Sequence, residues 1–348
     1  MITLPGLIDP HVHLRDPGQT HKEDFFTGTQ AALAGGFTTV IDMPNNLDPI
    51  TTADKLREKI KNARGKIVSD LGFHFGSLGE NMEEFEKVQN EVVGLKIYLN
   101  QTTGNFIVTP EVFHKIAKAW PIGKPILVHA EADVLEQILQ IGYETKQRIH
   151  VCHISSQKEL EIIIQAKEKK QNVTCGVTPH HLFLTEKDGE ELGPYGKMKP
   201  YLKSQSDVDF LWKNLVSIDC IESDHAPHAK KEKQGNNPPF GVPGLETTLP
   251  LLLTAVSEDR LTIDDIKRLC HDGAAKIFGI QTDPESKIEI AEEEEWTIEN
   301  DKLFTKCGWT PFDGWKVKGK VKRVFLRGTN VFEDGKILVE PGFGKIIV

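Results

Sequence analysis

The sequence predicts an α/β chain, a (β/α)8 TIM barrel with a small β-rich appendage at its C-terminal end. Three observations predict it. Eight β-prone runs, separated mostly by stretches of helical spacing, fill the chain up to about residue 224. Ionisable residues recur at the carboxyl ends of these runs, the place where barrel enzymes keep their chemistry. From about Glu285 helical spacing gives way to short β-prone runs and turns, which divides the chain into a barrel over 1–284 and an appendage over 285–348.

The elements follow in order. Leu4-Pro5-Gly6-Leu7-Ile8 reads as a buried strand that stops where Asp9 to Arg15 bring polar side chains, before the turn Asp16-Pro17-Gly18. Lys22 to Leu33 has helical spacing and closes at Gly35-Gly36. Phe37 to Met43 is rich in β-branched residues and ends at Pro44-Asn45-Asn46; Thr52 to Ala63 is helical. Asp70 to Gly76 and Val93 to Leu99 are strands with a short helix, Asn81 to Asn90, between them. Thr109-Pro110-Glu111 opens a helix with a capping threonine and a proline at the first helical position. Pro125 to His129, His150 to Ile154, Asn172 to Val177 and Ser217 to Asp224 complete the strands, with helices through Ile141, from Ser156 to Lys170 and from Asp207 to Val216. The appendage draws on Trp296 to Ile298, Val317 to Leu326, Val331-Phe332 and Ile337 to Val339.

Bulk composition narrows the function. The chain has 348 residues, 39% of them hydrophobic, enough for a sizeable core. Its net charge of −9 and lack of basic runs argue against nucleic acid or an anionic membrane as main partner. No apolar stretch is long enough to span a bilayer, and Met-Ile-Thr-Leu-Pro is unlike a secretory leader. Five scattered cysteines fit reduced thiols in a cytoplasmic protein.

The candidate chemistry lies at the strand ends. In a strand, residues i and i+2 share a face, so His11 and His13 present two imidazoles side by side, as chelation of one metal ion requires. His129, His153 and Asp224 stand at the ends of later strands. Each histidine alone reads more simply as a bonded core residue; histidines at several corresponding ends, with an aspartate at the last, point to metal. Lys96 is the odd member, since a protonated lysine offers a cation no lone pair. Its plain reading is an amphipathic stem ending in an ion pair. The chemical one is a lysine that adds CO2 to become a carbamate, a carboxylate able to bridge two metals.

The motifs His11-Val12-His13-Leu14-Arg15, Met43-Pro44-Asn45, Gly94-Leu95-Lys96-Ile97-Tyr98, Val128-His129-Ala130-Glu131, Cys152-His153-Ile154 and Ser223-Asp224-His225-Ala226-Pro227-His228 occur in that order. In this the chain resembles the dihydroorotases of the amidohydrolase superfamily, above all the dihydroorotase domains of animal multifunctional pyrimidine-synthesis proteins. The resemblance continues through Pro179-His180-His181, Pro243-Gly244-Leu245-Glu246-Thr247 and Trp309-Thr310-Pro311-Phe312, and so covers essentially the whole chain. It implies a zinc-dependent cyclic amide hydrolase that reversibly closes N-carbamoyl-L-aspartate to L-dihydroorotate in pyrimidine synthesis. It implies two Zn2+ per chain, one held by His11, His13 and Asp224, the other by His129 and His153, with N6-carboxylated Lys96 and a hydroxide between them. Asp224 is then the catalytic acid and base. Arg15, Asn45 and His228 hold the substrate's unreacting carboxylate, Thr102 on the Asn100–Asn105 loop offers a hydroxyl, and Lys199 approaches the ring. A homodimer and an association with aspartate transcarbamoylase are left open.

Three departures stand out. Gly176 replaces a glutamate that the animal pattern associates with an additional metal, which leaves Cys152 without a partner for a third ion. Lys199 replaces an arginine and keeps its charge without the planar fork. Thr103 replaces an aromatic residue of the loop. The rivals are allantoinase or dihydropyrimidinase chemistry on a neutral ring, and an inactive scaffold partner of aspartate transcarbamoylase that would be expected to lack metal ligands.

Overall fold

The computed structural model describes residues 1–102 and 106–348. Eight parallel strands pair in sequence order: β2 (Leu7–Val12), β3 (Phe37–Asp42), β4 (Asp70–Gly76), β5 (Gly94–Tyr98), β6 (Ile126–His129), β7 (Ile149–Ile154), β8 (Val173–Val177) and β9 (Cys220–Ile221). A parallel bridge between Val12 and His225 joins the last to the first and closes the barrel. The expected barrel is therefore present. Helices follow the strands as the spacing requires: Phe25–Ala34 capped by Asp24, Ala53–Arg64 capped by Thr52, Pro110–Ala119 capped by Thr109, Ala132–Glu144, Gln157–Glu168 capped by Ser156, and Gln205–Lys213 capped by Ser204. Each capping side chain accepts from a backbone N–H that has no partner inside the helix.

The first predicted strand is two. Ile2–Pro5 (β1) leaves the barrel at Gly6 and pairs antiparallel with Lys287–Thr297 (β10). A Cβ on Gly6 would sit 2.2 Å from Thr38 Oγ1, so only glycine lets the chain cross β3 at this distance. The terminal sheet runs β1, β10, β11 (Lys316–Leu326), β12 (Thr329–Glu333) and β13 (Lys336–Ile337). β10 carries the acidic run, and Glu293 and Glu294 pair there with Lys318 and Lys322 of β11.

Two other expectations differ. The last barrel strand is only Cys220–Ile221, and Ser223 and Asp224 lie past its end. Sequence patterning also assigned nothing between Asp224 and Glu285, where helices Leu245–Ser257, Ile263–Lys267 and Gly273–Phe278 lie. Leu245–Ser257 is apolar on most sides and contains Pro250, so it lacks the one-sided stripe that marks an amphipathic helix. No helix among the described residues is long and apolar enough to cross a membrane. All five cysteines are buried free thiols.

Candidate metal centre and active site

The barrel brings the predicted residues together at its carboxyl end. His11 is in β2 and His13 one residue past it, Lys96 is central in β5, His129 ends β6, and His153 sits near the end of β7. All are buried, as is Asp224. Asp224 Oδ1 lies 3.0 Å from His13 Nε2 and 3.4 Å from His11 Nε2. On the other side His129 Nδ1 lies 3.1 Å from His153 Nε2. Arg15, His153 and Asp224 all take positive φ, at 62°, 37° and 44°. Left-handed backbone is costly for side chains of this size and persists where surrounding structure imposes it, as at functional sites.

Hydrogen-bond partners decide which nitrogens are bare. His13 Nδ1 faces Asn45 Oδ1 at 2.8 Å, and His11 Nδ1 faces Glu222 Oε2 at 3.1 Å. Both partners are acceptors, so the tautomers with hydrogen on each Nδ1 satisfy them and turn each Nε2 lone pair toward Asp224, the form a shared cation requires. Two bare nitrogens and a carboxylate oxygen thus converge, an arrangement of acceptors that suits a cation. Two further buried nitrogens, His129 Nε2 and His153 Nδ1, have no hydrogen-bond partner among the described residues; Glu131 Oε1 stands 3.8 Å from the former, too far for a bond. Burial lowers His13 to about 3, against the pull of Asp224, and lowers His129 and His153 as well. Neutral imidazole is the form that ligates metal. The donor set therefore fits divalent metal, zinc among others. His11, His13 and Asp224 form one candidate cluster; His11, Cys152 and Glu222 form another.

Lys96 is wholly buried, and no carboxylate lies within ion-pair reach of it among the described residues. Its Nζ lies 3.0 Å from Cys152 Sγ. The ion-paired stem is therefore not what the fold builds.

Arg15, Asn45, Thr102 and Lys199 line one cavity with the histidines and Asp224. Arg15 Nε donates to Pro227 O at 3.1 Å, and no carboxylate pairs with the guanidinium among the described residues. The loops that carry Arg15 and Asn45 are held from below. Asp42 accepts from Leu14 N at 2.8 Å, and buried Lys59 lies 2.7 Å from Asp42 while donating to Met43 O and Asn46 Oδ1 at 2.9 and 2.8 Å. Lys199 stands 3.7 Å from Glu131 and 3.9 Å from the Tyr201 ring centroid. His228 does not line the cavity; it is buried behind Arg15. Lys22 Nζ, 3.2 Å away, can only donate to His228 Nδ1, so Nε2 carries the hydrogen and donates to Phe240 O at 2.9 Å. Thr103 lies outside the described residues.

Sequence reasoning missed Glu222, Lys22 and Tyr98 as site residues. Tyr98 lines the cavity, and its buried hydroxyl has no hydrogen-bond partner among the described residues. Glu222 was legible as an ionisable residue two positions before Asp224, at the end of the same apolar run. It also puts a carboxylate beside Cys152, where Gly176 had suggested none.

Residues 2–331 match the model of the amidohydrolase family. The chain is 46% identical to the multifunctional protein CAD of Squalus acanthias over 99% of its own length, and spans 16% of that protein. It is 37% identical to a dihydroorotase of Pyrococcus furiosus, covering 99% of this chain and 85% of the relative. The L-hydantoinase (dihydropyrimidinase) of Arthrobacter aurescens superposes with a TM-score of 0.93 at 27% identity, covering 99% of this chain and 88% of that one. A barrel shared with the hydantoinase, the match to the family model, and sequence identity to a dihydroorotase lead to one assignment: the chain belongs to the amidohydrolase family and falls among its dihydroorotases.

Proposed function

We propose that this chain interconverts N-carbamoyl-L-aspartate and L-dihydroorotate. The observation that carries the reading is Arg15: a buried guanidinium on the cavity wall, with no carboxylate partner among the described residues, beside a converging set of metal-ligand lone pairs. A buried cation without a partner is costly unless a ligand supplies the anion. A neutral hydantoin or dihydropyrimidine ring has no group for it, whereas dihydroorotate carries a carboxylate off the reacting amide.

In this reading His11, His13 and Asp224 would hold one divalent ion and His129 and His153 a second, with Lys96, once carboxylated, supplying a further carboxylate ligand. Bound ions would polarise the ring carbonyl and make water acidic enough to ionise near neutral pH. The chain's own residues do the rest. Arg15 grips the unreacting carboxylate through its fork. Asn45, hydrogen-bonded to His13, ties that grip to the metal side. Asp224 moves the proton between the attacking water and the ring nitrogen. Thr102 and Lys199, which also line the cavity, contact the ring, and His228 backs Arg15 rather than touching substrate. Association with aspartate transcarbamoylase and a homodimer belong to the same proposal.

The inactive-scaffold alternative expects missing ligands, and the complete His and Asp set speaks against it. Purified protein assayed side by side with dihydroorotate, dihydrouracil and allantoin tests the reading. Strong preference for dihydroorotate over both uncharged rings is expected; preference for either neutral ring would overturn it.

A further inference from the structure

Glu222 is a residue of this centre that neither the motifs nor the proposed chemistry uses. It is fully buried, and its two oxygens are divided. Oε2 faces His11 Nδ1 at 3.1 Å, with His150 Nε2 at 3.7 Å; Oε1 accepts from the backbone N–H of His153. One carboxylate thus touches a residue from each candidate metal pair. It fixes the His11 ring through its Nδ1–H, and it fixes the backbone at His153, where φ is 37°. The space for it comes from the neighbouring strand. A Cβ on Gly176 would lie 2.7 Å from both the carboxyl carbon and Oε1 of Glu222, and a side chain buried on all sides has nowhere to retreat.

We propose that Glu222 is a positioning residue of the metal centre, acting through His11 and His153, and that Gly176 is its necessary counterpart. The inference rests on the metal-centre reading above. A carboxylate behind a ligating histidine sets its tautomer and ring orientation, and loss of such a partner typically costs about 10- to 100-fold in metal affinity. Gly176 then serves to leave the carboxylate room rather than to free the backbone.

The test is Zn2+ affinity of the full chain by competition with a chromophoric chelator, alongside melting of the metal-free protein. Glu222→Gln keeps the size but offers one acceptor where two N–H groups need one each. It is expected to weaken Zn2+ by about 10- to 100-fold with the stoichiometry unchanged. Gly176→Ala, which leaves Glu222 in the chain but displaces it, is expected to weaken Zn2+ similarly. In a Glu222→Ala background the same Gly176→Ala change should have little further effect, because its Cβ enters vacated space. A purely structural Glu222 would lower the melting temperature of the metal-free protein and leave affinity untouched, and that result overturns the proposal. Additive effects of the two substitutions would overturn the coupling to Gly176. Loss of one whole Zn2+ equivalent with the others unaffected would make Glu222 a ligand in its own right, which also overturns it. Wild-type protein that takes up no Zn2+ would instead sink the metal-centre reading itself.

Discussion

Replacing Arg15 with methionine isolates the carboxylate grip. Methionine keeps the unbranched stem and deletes the fork. A guanidinium has five N–H donors. Here Nε is spent on Pro227 O at 3.1 Å. Nη2 stands 3.2 Å from His228 Nε2, whose own hydrogen goes to Phe240 O, so that nitrogen cannot accept from arginine. The fork is therefore left for a ligand. Truncating one partner of a buried, hydrogen-bonded charge pair costs roughly 2–5 kcal/mol. The ligand's carboxylate enters the cavity from solvent and can stay partly hydrated when the arginine is gone, which favours the lower half of that range. About 2–3 kcal/mol corresponds to a fall of roughly 30- to 150-fold in kcat/KM for dihydroorotate. Steady-state kinetics would measure it, with metal content checked on the same samples. An uncharged cyclic amide, turned over weakly by the wild type, should lose far less. Equal losses on charged and uncharged rings, with metal retained, would refute the reasoning and remove Arg15 from substrate recognition.

Other outcomes follow from the same geometry. Asp224→Asn, assayed with both ions verified, should lower turnover by about 10²- to 10⁴-fold, the usual worth of a general acid or base; near wild-type turnover would exclude it as the proton carrier. Lys96→Ala should lose activity and metal together, and intact mass in bicarbonate should find wild-type protein one CO2 heavier; an unmodified lysine in fully active, metal-loaded protein would refute the bridge. Thr102→Val, which removes one hydroxyl from the cavity wall, should lower turnover without changing metal content, and unchanged kinetics would make Thr102 a mere connector. Stability offers an independent check at Glu246, which burial raises from 4.5 to about 8 although it accepts from Phe304 N and Thr305 N. Because the folded pKa lies above the unfolded one, the folded chain keeps a proton that the unfolded chain loses between those values. Stability from this group is complete below pH 4.5 and declines, by up to about 1.4 kcal/mol per pH unit, until about pH 8. Melting curves of wild type and Glu246→Gln should therefore diverge as pH rises through that window; parallel curves would contradict it.

The sequence by itself determined the alternation of strands and helices, because a buried parallel strand and the helix that covers it each leave a local apolar pattern. It also marked the candidate site residues. His11, Lys96, His129 and His153 could be picked out because polar residues within or at the ends of apolar runs have no local reason to be there. Tertiary structure decided whatever depends on contacts between distant segments. Ile2–Pro5 joins a sheet formed mostly by residues after 286, a pairing that no local period encodes. His228 shares a motif with Asp224, yet Lys22 and Phe240 O turn it away from the cavity. Lys96 could have been an ion-paired stem; only the fold shows it without a carboxylate partner among the described residues. Gly176, read along the chain, is a missing carboxylate; across the barrel it is the room that Glu222 occupies. The physical reason is common to all of these. Periodicity reports which face of an element is buried, whereas hydrogen-bond partners, tautomers and close contacts are set by whichever distant chain is packed against that face.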